Sequence, residues 1–477
     1  MPKILSFLGL IFLFQLIQVN NWLYFGVPID PNNIGKIIKE SKEIFSSGIG
    51  ASKRLWKGWF VLVLSFFLMC IIFYILDHYV RYTFSYAYFL PLSILFLFPI
   101  LIFFQGTKIH RASPNRSTFH HSLRSFALWL NYSFIPDTNI KKYEDYFISK
   151  GDDWGNNKHI ILIMGESVAS RYCSLYSYKE NTTPFLKSLK NNKKFAFSKG
   201  ISASISTIIS FMYFFNIVRE TSNLSILKTK KINLFKLAKN AGYKTYCITA
   251  QETGLFLDAG IEYIDQLLCV KNDIQLLDQY KEIPKDQKTF IVLNIRNIHS
   301  PYEKFHTIEA TFKIEHSLQH SYCRALLFHD DWCKKVISLT KEKYEVEYVL
   351  MFTSDHGEML GENGFFGHTI LNDVVSDIPV WAVCNDETHP LLNWIRSTPY
   401  IPHYELGIKI AKLFGFNITN PNNKDNTYYL HGTNILRPSY IEYKINKNTI
   451  KFSPLIGNDF ESNFTVLKVK YRNWFKN

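Results

Sequence analysis

Three side chains in this sequence stand where a divalent cation would need them. Glu166 closes an apolar run, "HIILIMGES" (residues 159–167), and Asp355 and His356 close a second, "YVLMFTSDH" (residues 348–356). Carboxylate oxygens and an imidazole nitrogen suit a hard-to-borderline metal, and a catalytic zinc site keeps one position for water or substrate. An isolated Asp-His pair is ordinarily a surface turn. Two apolar strands that each deliver such groups to one sheet edge argue for a site instead, because open α/β sheets gather their chemistry beyond the carboxyl ends of the strands.

Those two runs must be positioned by others. "YKTYCIT", "TFIVLNI" and "IPVWAVC" also read as buried strands, and "NLFKLAKNAG" and "YCRALLFHDDWCKKVISLT" read as helices between them. Gly242 is the expected C-cap of the first helix. Asp330 and Asp331, inside the second, are read as solvated or structural. Strands alternating with helices predict an α/β domain over residues 158–477, with a mostly parallel central sheet covered by helices on both faces.

The first hundred residues are different. Ile4–Leu23, Trp59–Leu76 and Tyr86–Phe104 are apolar segments near the roughly 20-residue length that a bilayer core requires. No small-residue cleavage site follows the first, so it reads as a retained anchor and not as a signal peptide. The expected organisation is a transmembrane region over 1–105 with about three spans and a basic loop at 24–58. A membrane-proximal connector with an interfacial helix follows over 106–157. The positive-inside rule would pull the basic loop into the cytoplasm, against the placement that an extracytoplasmic C-terminal domain needs.

The chain of 477 residues carries a formal net charge of +14. That balance draws it to anionic lipid or phosphorylated glycan. No nucleic-acid signature accompanies it, and the lysines are not arranged in a stripe. Outside the apolar segments lie Cys173, Cys247, Cys269, Cys323, Cys333 and Cys384, without CxxC spacing. They could form up to three disulfides in an oxidising compartment or remain buried thiols, and the sequence leaves both open.

The segments "GES", "RYCSLYSYKENTTPFL" and "TSDHGEMLGENGFFGH" resemble the phosphoethanolamine transferases of Gram-negative envelopes, which belong to the alkaline phosphatase and sulfatase-like superfamily. The resemblance covers residues 158–438. It implies a sulfatase-like α/β domain in the periplasm, anchored in the inner membrane by several spans, although the family carries more spans than the three counted here. It implies a threonine nucleophile in "GISASISTIISFMYF" (residues 200–214), which fits best at Thr207, with Ser206 and Ser204 as alternatives. Glu166, Thr207, Asp355 and His356 would then hold one or two zinc ions, in preference to manganese or magnesium. His299 and His368 match substrate-contacting histidines, and Gln251 would line the donor pocket. Ser167 is left a helix N-cap role, and Glu358 and Asn363 supporting ones.

The implied reaction moves phosphoethanolamine from phosphatidylethanolamine to a lipopolysaccharide acceptor, a core sugar or lipid A, through a covalent intermediate. The protein is expected to act as a monomer among membrane lipids. A phosphoglycerol transferase of the same superfamily, or an inactive membrane scaffold, are the alternatives. A sulfatase is disfavoured, because no Cys/Ser-x-Pro-Ser-Arg segment is present.

Overall fold

The structure, a computed structural model, describes residues 118–134 and 142–456, apart from most of 152–156 and 303–316 and all of 346, 363–364, 369, 423–425 and 434–438, with scattered positions before 118. The first and third apolar segments therefore lie largely outside the described residues, and the second lies partly within them. Within the second, positions 62–68 are helical, and Phe60, Phe67, Leu68, Ile71 and Tyr74 are exposed. Among the described residues no helix is long and apolar enough to cross a membrane.

The chain forms two compact units. One comprises Met1–Thr138, Gly361–Ile370 and Asn458–Asn477, and the other Asn139–Leu360 with Leu371–Gly457. In the first, the longest described element is the helix Thr118–Phe134. The second unit holds an eight-stranded sheet. Its strands are β1 (His159–Gly165), β2 (Phe195–Ile201), β3 (Lys244–Thr249), β4 (Gln266–Cys269), β5 (Thr289–Asn294), β6 (Tyr348–Ser354), β7 (Asp377–Cys384) and β8 (Tyr400–Pro402). Their order is β8-β2-β7-β6-β1-β5-β3-β4.

All seven residues of β1 are buried, as a strand covered on both faces must be. Burying each of its Ile and Leu side chains contributes about 1.5–3 kcal/mol. The sheet is mixed, with five parallel pairings and two antiparallel ones. Both antiparallel pairings belong to β7, the "IPVWAVC" run. A parallel return needs a long crossover, usually a helix. The path from β6 to β7 shows only 3₁₀ structure, at Glu362 and Asp373–Ser376, as helical structure among the described residues. The sequence pattern also passed over β2, β4 and β8. Lys199 and Gly200 break the apolar run of β2, and β4 and β8 are edge strands of four and three residues.

The helices that cover the sheet are α1 (Thr207–Phe215), α2 (Leu234–Asn240), α3 (Asp273–Glu282), α4 (Leu318–Lys343), α5 (Pro390–Ser397) and α6 (His403–Leu413). Asn233 caps α2 by accepting N–H bonds from Phe235 and Lys236. Gly242 follows its end with φ +81°, the left-handed conformation in which glycine is least strained. The long α4 packs Tyr322, Leu326, Trp332 and Val336 into one core with Ile161, Ile163, Leu350 and Phe352.

Asp330 on α4 is buried, not solvated. Its carboxylate accepts the backbone N–H groups of Phe185 and Leu186 at 2.7 and 3.0 Å. Asp331 pairs with Lys335 one turn on, at 2.7 Å. The unit also reaches back before residue 158: strand Phe147–Lys150, which the sequence reading placed in the connector, pairs antiparallel with Phe416–Thr419. All seven cysteines are free thiols.

Candidate active site

The parallel register of β1 and β6 builds the centre of the site. Gly165 lies opposite Ser354, so the residues that follow, Glu166 and Asp355, emerge side by side. Asp355 N–H donates to the Gly165 carbonyl at 3.0 Å and locks the two exits together. Glu166, Asp355 and His356 each offer one ligand atom, all within 4.8 Å of one another. Their exposures are 2, 0 and 0%.

Ser167 ties the two carboxylates together. Its hydroxyl donates to Glu166 Oε1 at 2.7 Å, and its N–H donates to Asp355 Oδ1 at 3.0 Å. It does so with φ +58°, a left-handed conformation that costs a non-glycine residue of order 1 kcal/mol. Tyr322 of α4 secures this turn, since its hydroxyl donates to the Ser167 carbonyl and accepts from Ala169 N–H. The expected helix-capping role of Ser167 is therefore replaced. The nearby 3₁₀ turn, Ser170–Tyr172, begins after Ala169 and has no side-chain cap.

The fourth group arrives from the other side of β6. After β2 the chain runs through residues 202–206, which are held from three directions. Ser202 N–H donates to Ser376 O, Ile205 N–H donates to His431 O, and Ala203 N–H donates to His403 Nδ1 at 3.1 Å. His403 Nε2 in turn meets Thr353 Oγ1 at 3.2 Å. One imidazole thus fastens the approach to Thr207 onto the strand that carries Asp355. Burial lowers the pKa of His403 to about 3, so it stays neutral and serves as a fixed acceptor and donor.

Thr207 opens α1 and is half-buried. Its Oγ1 lies 3.4 Å from Glu166 Oε2 and 3.3 Å from His356 Nε2. Ser210, one turn into α1, donates to the Asp355 carbonyl. Of the alternative hydroxyls, that of Ser204 is engaged elsewhere: it donates to Gly432 O and accepts Ser206 N–H.

These residues fit a metal ion. Asp355 Oδ2 is buried without a hydrogen-bond partner and lies 3.2 Å from His356 Nε2. His356 Nδ1 stands 2.9 Å from the Gly357 carbonyl. That contact fixes the proton on Nδ1 and leaves Nε2 as the lone-pair donor, the usual support for a ligating histidine. Burial, and then the charge of Glu166, raise the pKa of Asp355 well above its ordinary value. A cation between the two carboxylates would reverse that penalty.

Glu358, read from the sequence as a supporting residue, is buried close behind. Burial pushes it up to about 7, against the opposing effects of His356, Tyr302 and His299. His299 is half-buried, with Nδ1 2.6 Å from Ser300 O. Gln251 lies past the end of β3 and donates to Asn294 Oδ1 and Ile295 O at 3.2 and 3.0 Å, holding the ends of β3 and β5 together. His368 belongs to the Gly361–Ile370 segment of the other unit, and Asn363 lies outside the described residues. Ser167, Ser210, Tyr322 and His403 were not singled out as parts of the site by their sequence context. A serine following Glu166 was the one visible signal among them.

The sulfatase family profile matches residues 158–379. Phosphoethanolamine transferase EptA of Helicobacter pylori is 26% identical over 274 residues, which cover 50% of this chain and 50% of that protein. The chain spans about half the length of the curated relatives it matches. Among solved structures, the integral membrane protein lipooligosaccharide phosphoethanolamine transferase A of Neisseria meningitidis superposes with a TM-score of 0.55. It is 17% identical, over 84% of this chain and 83% of that one. The C-terminal periplasmic domain of EptC from Escherichia coli, solved in complex with zinc, gives 0.50 at 20% identity, over 65% of this chain and 96% of that one. These two likenesses show the fold.

Proposed function

We propose, for a chain that carries a sulfatase-family domain and is related to the phosphoethanolamine transferases, that it moves phosphoethanolamine from phosphatidylethanolamine to a lipopolysaccharide acceptor, with Thr207 as nucleophile. The observation that carries this reading is convergence. A hydroxyl at the start of a helix stands within 3.4 Å of Glu166 and His356, two of three buried groups able to hold a metal ion. Zinc held by Glu166, Thr207, Asp355 and His356 would lower the pKa of the hydroxyl and offset charge on the transferred phosphoryl group. The zinc-bound state of the Escherichia coli domain supports that choice of metal.

The chain's own groups do the rest. Ser167 holds Glu166 and Asp355 in place, and His403 holds the loop that presents Thr207. The N-terminal N–H groups of α1 face the negative charge of the incoming phosphate. Thr207 Oγ1 attacks phosphorus, the phosphorus–oxygen bond to the donor's glycerol breaks, and diacylglycerol leaves with a proton. Phosphoethanolamine then remains as an ester on Thr207. A hydroxyl or phosphate oxygen of a core sugar or of lipid A attacks the same phosphorus, and Thr207 leaves and regains its proton. His299, His368 and Gln251 are assigned to substrate contacts.

In the same reading the N-terminal segments anchor the protein in a bacterial inner membrane, with the catalytic unit in the periplasm. The exposed apolar side chains of residues 60–75 support this. It works as a monomer. The test is to incubate the purified full chain with zinc and phosphatidylethanolamine, then measure diacylglycerol release and the intact mass. A phosphoethanolamine adduct that disappears in Thr207→Ala is the expected result. An adduct formed only from phosphatidylglycerol, or one that survives Thr207→Ala, overturns the reading.

A further inference from the structure

Residues 181–219 contain no Asp or Glu, yet five lysines fall between 187 and 199. Two of them, Lys190 and Lys199, line a surface cavity of about 320 Å³ together with Tyr176, Phe197, Tyr400 and Asn448. We propose that this cavity binds a phosphorylated sugar, with the phosphate between the two ammonium groups and the ring against the aromatic wall.

Charge is the first argument. Both lysines are exposed, no carboxylate lines the cavity, and neither lysine forms an ion pair with any described residue. Two unneutralised cations on one concave surface attract a dianion more strongly than a single charge does. A phosphate monoester carries most of two charges near neutral pH.

Preorganisation is the second. The Tyr176 hydroxyl donates to the Val380 carbonyl at 3.0 Å and accepts Val380 N–H at 3.1 Å, which pins the ring to β7. Phe197 meets that ring edge to face, with centroids 5.6 Å apart. Lys199 lies in register with Tyr400 across the β2–β8 pairing. The Ser198 hydroxyl donates to the Thr398 carbonyl, and Arg396 of α5 donates to the Phe195 carbonyl at 3.2 Å. The wall is therefore rigid before any ligand arrives, and fixed aromatic faces with a few placed polar groups are the usual make-up of a small-ligand site. Its volume suits one or two sugar rings, at the small end of the roughly 300–1,000 Å³ range of ligand pockets.

Position adds a purpose. β2 forms one wall of the cavity and then leads through residues 202–206 to Thr207, so a glycan held here is tethered on the strand that delivers the nucleophile. Binding itself does not require the transfer reaction, and the two readings fail separately.

The test is calorimetric titration of the full chain in detergent micelles with mannose 6-phosphate, mannose and inorganic phosphate. Mannose 6-phosphate is expected to bind at least about tenfold more tightly than either fragment. The double variant Lys190→Gln/Lys199→Gln should weaken it by about tenfold or more, while Thr207→Ala leaves it unchanged. Because both lysines are solvent-exposed, an unaltered melting temperature of the double variant confirms that folding is intact. Phosphate binding as tightly as the sugar phosphate makes this a plain anion site and overturns the proposal. So does binding lost in Thr207→Ala, which places the ligand at the catalytic centre, or binding indifferent to the two lysines. Absence of transferase activity from the unaltered chain, with sugar-phosphate binding intact, would sink the catalytic reading alone.

Discussion

The two proposed sites hang on the same strand, β2, and are built on opposite terms. Beyond its carboxyl end, Thr207 joins Glu166, Asp355 and His356, groups that are at most 2% exposed and fixed by hydrogen bonds. Along its length, Phe197 and Lys199 face an open basic cavity. In the buried corner every polar atom needs a partner, because an unpaired charge in a low-dielectric interior is costly. In the cavity the lysines stay hydrated and need none. Bond-making chemistry demands fixed geometry and few water molecules, whereas capture of a large anionic molecule works from a distance and tolerates motion.

That contrast makes sharp demands on mutants. Thr207→Ala should cut transfer by about a thousandfold or more, as loss of a nucleophile does, with the melting temperature nearly unchanged. Retention of more than a tenth of the activity would move the nucleophile elsewhere. Asp355→Asn removes one of three buried ligands, and zinc affinity measured by competition with a chromogenic chelator should fall by about a hundredfold. Ser167→Ala deletes a hydroxyl that supports Glu166 without touching the metal, so a loss of about tenfold in zinc affinity is expected. Unaltered affinity would mean that the Ser167 hydroxyl does not position the carboxylates.

The smallest effect is on pH dependence. His329 is buried against Asn297 and Cys333, and burial lowers its pKa from 6.5 to about 3. Between those values the unfolded chain binds a proton that the folded one refuses, so stability falls as pH falls. Asp273, raised by burial to about 7, works the other way and loses stability as pH rises toward that value. His329→Asn should flatten the decline of melting temperature between pH 6.5 and 5 by a few degrees. An unchanged slope would show that His329 does not carry the acid sensitivity.

Long apolar runs made β1, β3, β5, β6 and β7 legible. β4 and β8 were too short to show a pattern, and β2 was interrupted by Lys199 and Gly200. The direction of β7 was not legible either, because alternation of strands and helices carries no sign where a crossover helix is lacking. Gly242 and the helix it follows were readable, since capping is local chemistry. Asp330 was not, because its partners, Phe185 and Leu186, are far away in sequence.

The sequence by itself determined which ligand types exist and that they sit at the ends of buried strands, because a strand buried on both faces must be apolar until it leaves the sheet. It also determined the net charge of +14. Tertiary structure alone decided the rest. The register of Gly165 against Ser354 sets Glu166 beside Asp355. The histidine at 403 fastens the loop so that Thr207 directs its hydroxyl at Glu166 and His356. The left-handed turn at Ser167 makes one residue serve two carboxylates. Each depends on contacts between residues dozens to hundreds of positions apart, and local propensity carries no information about such distances.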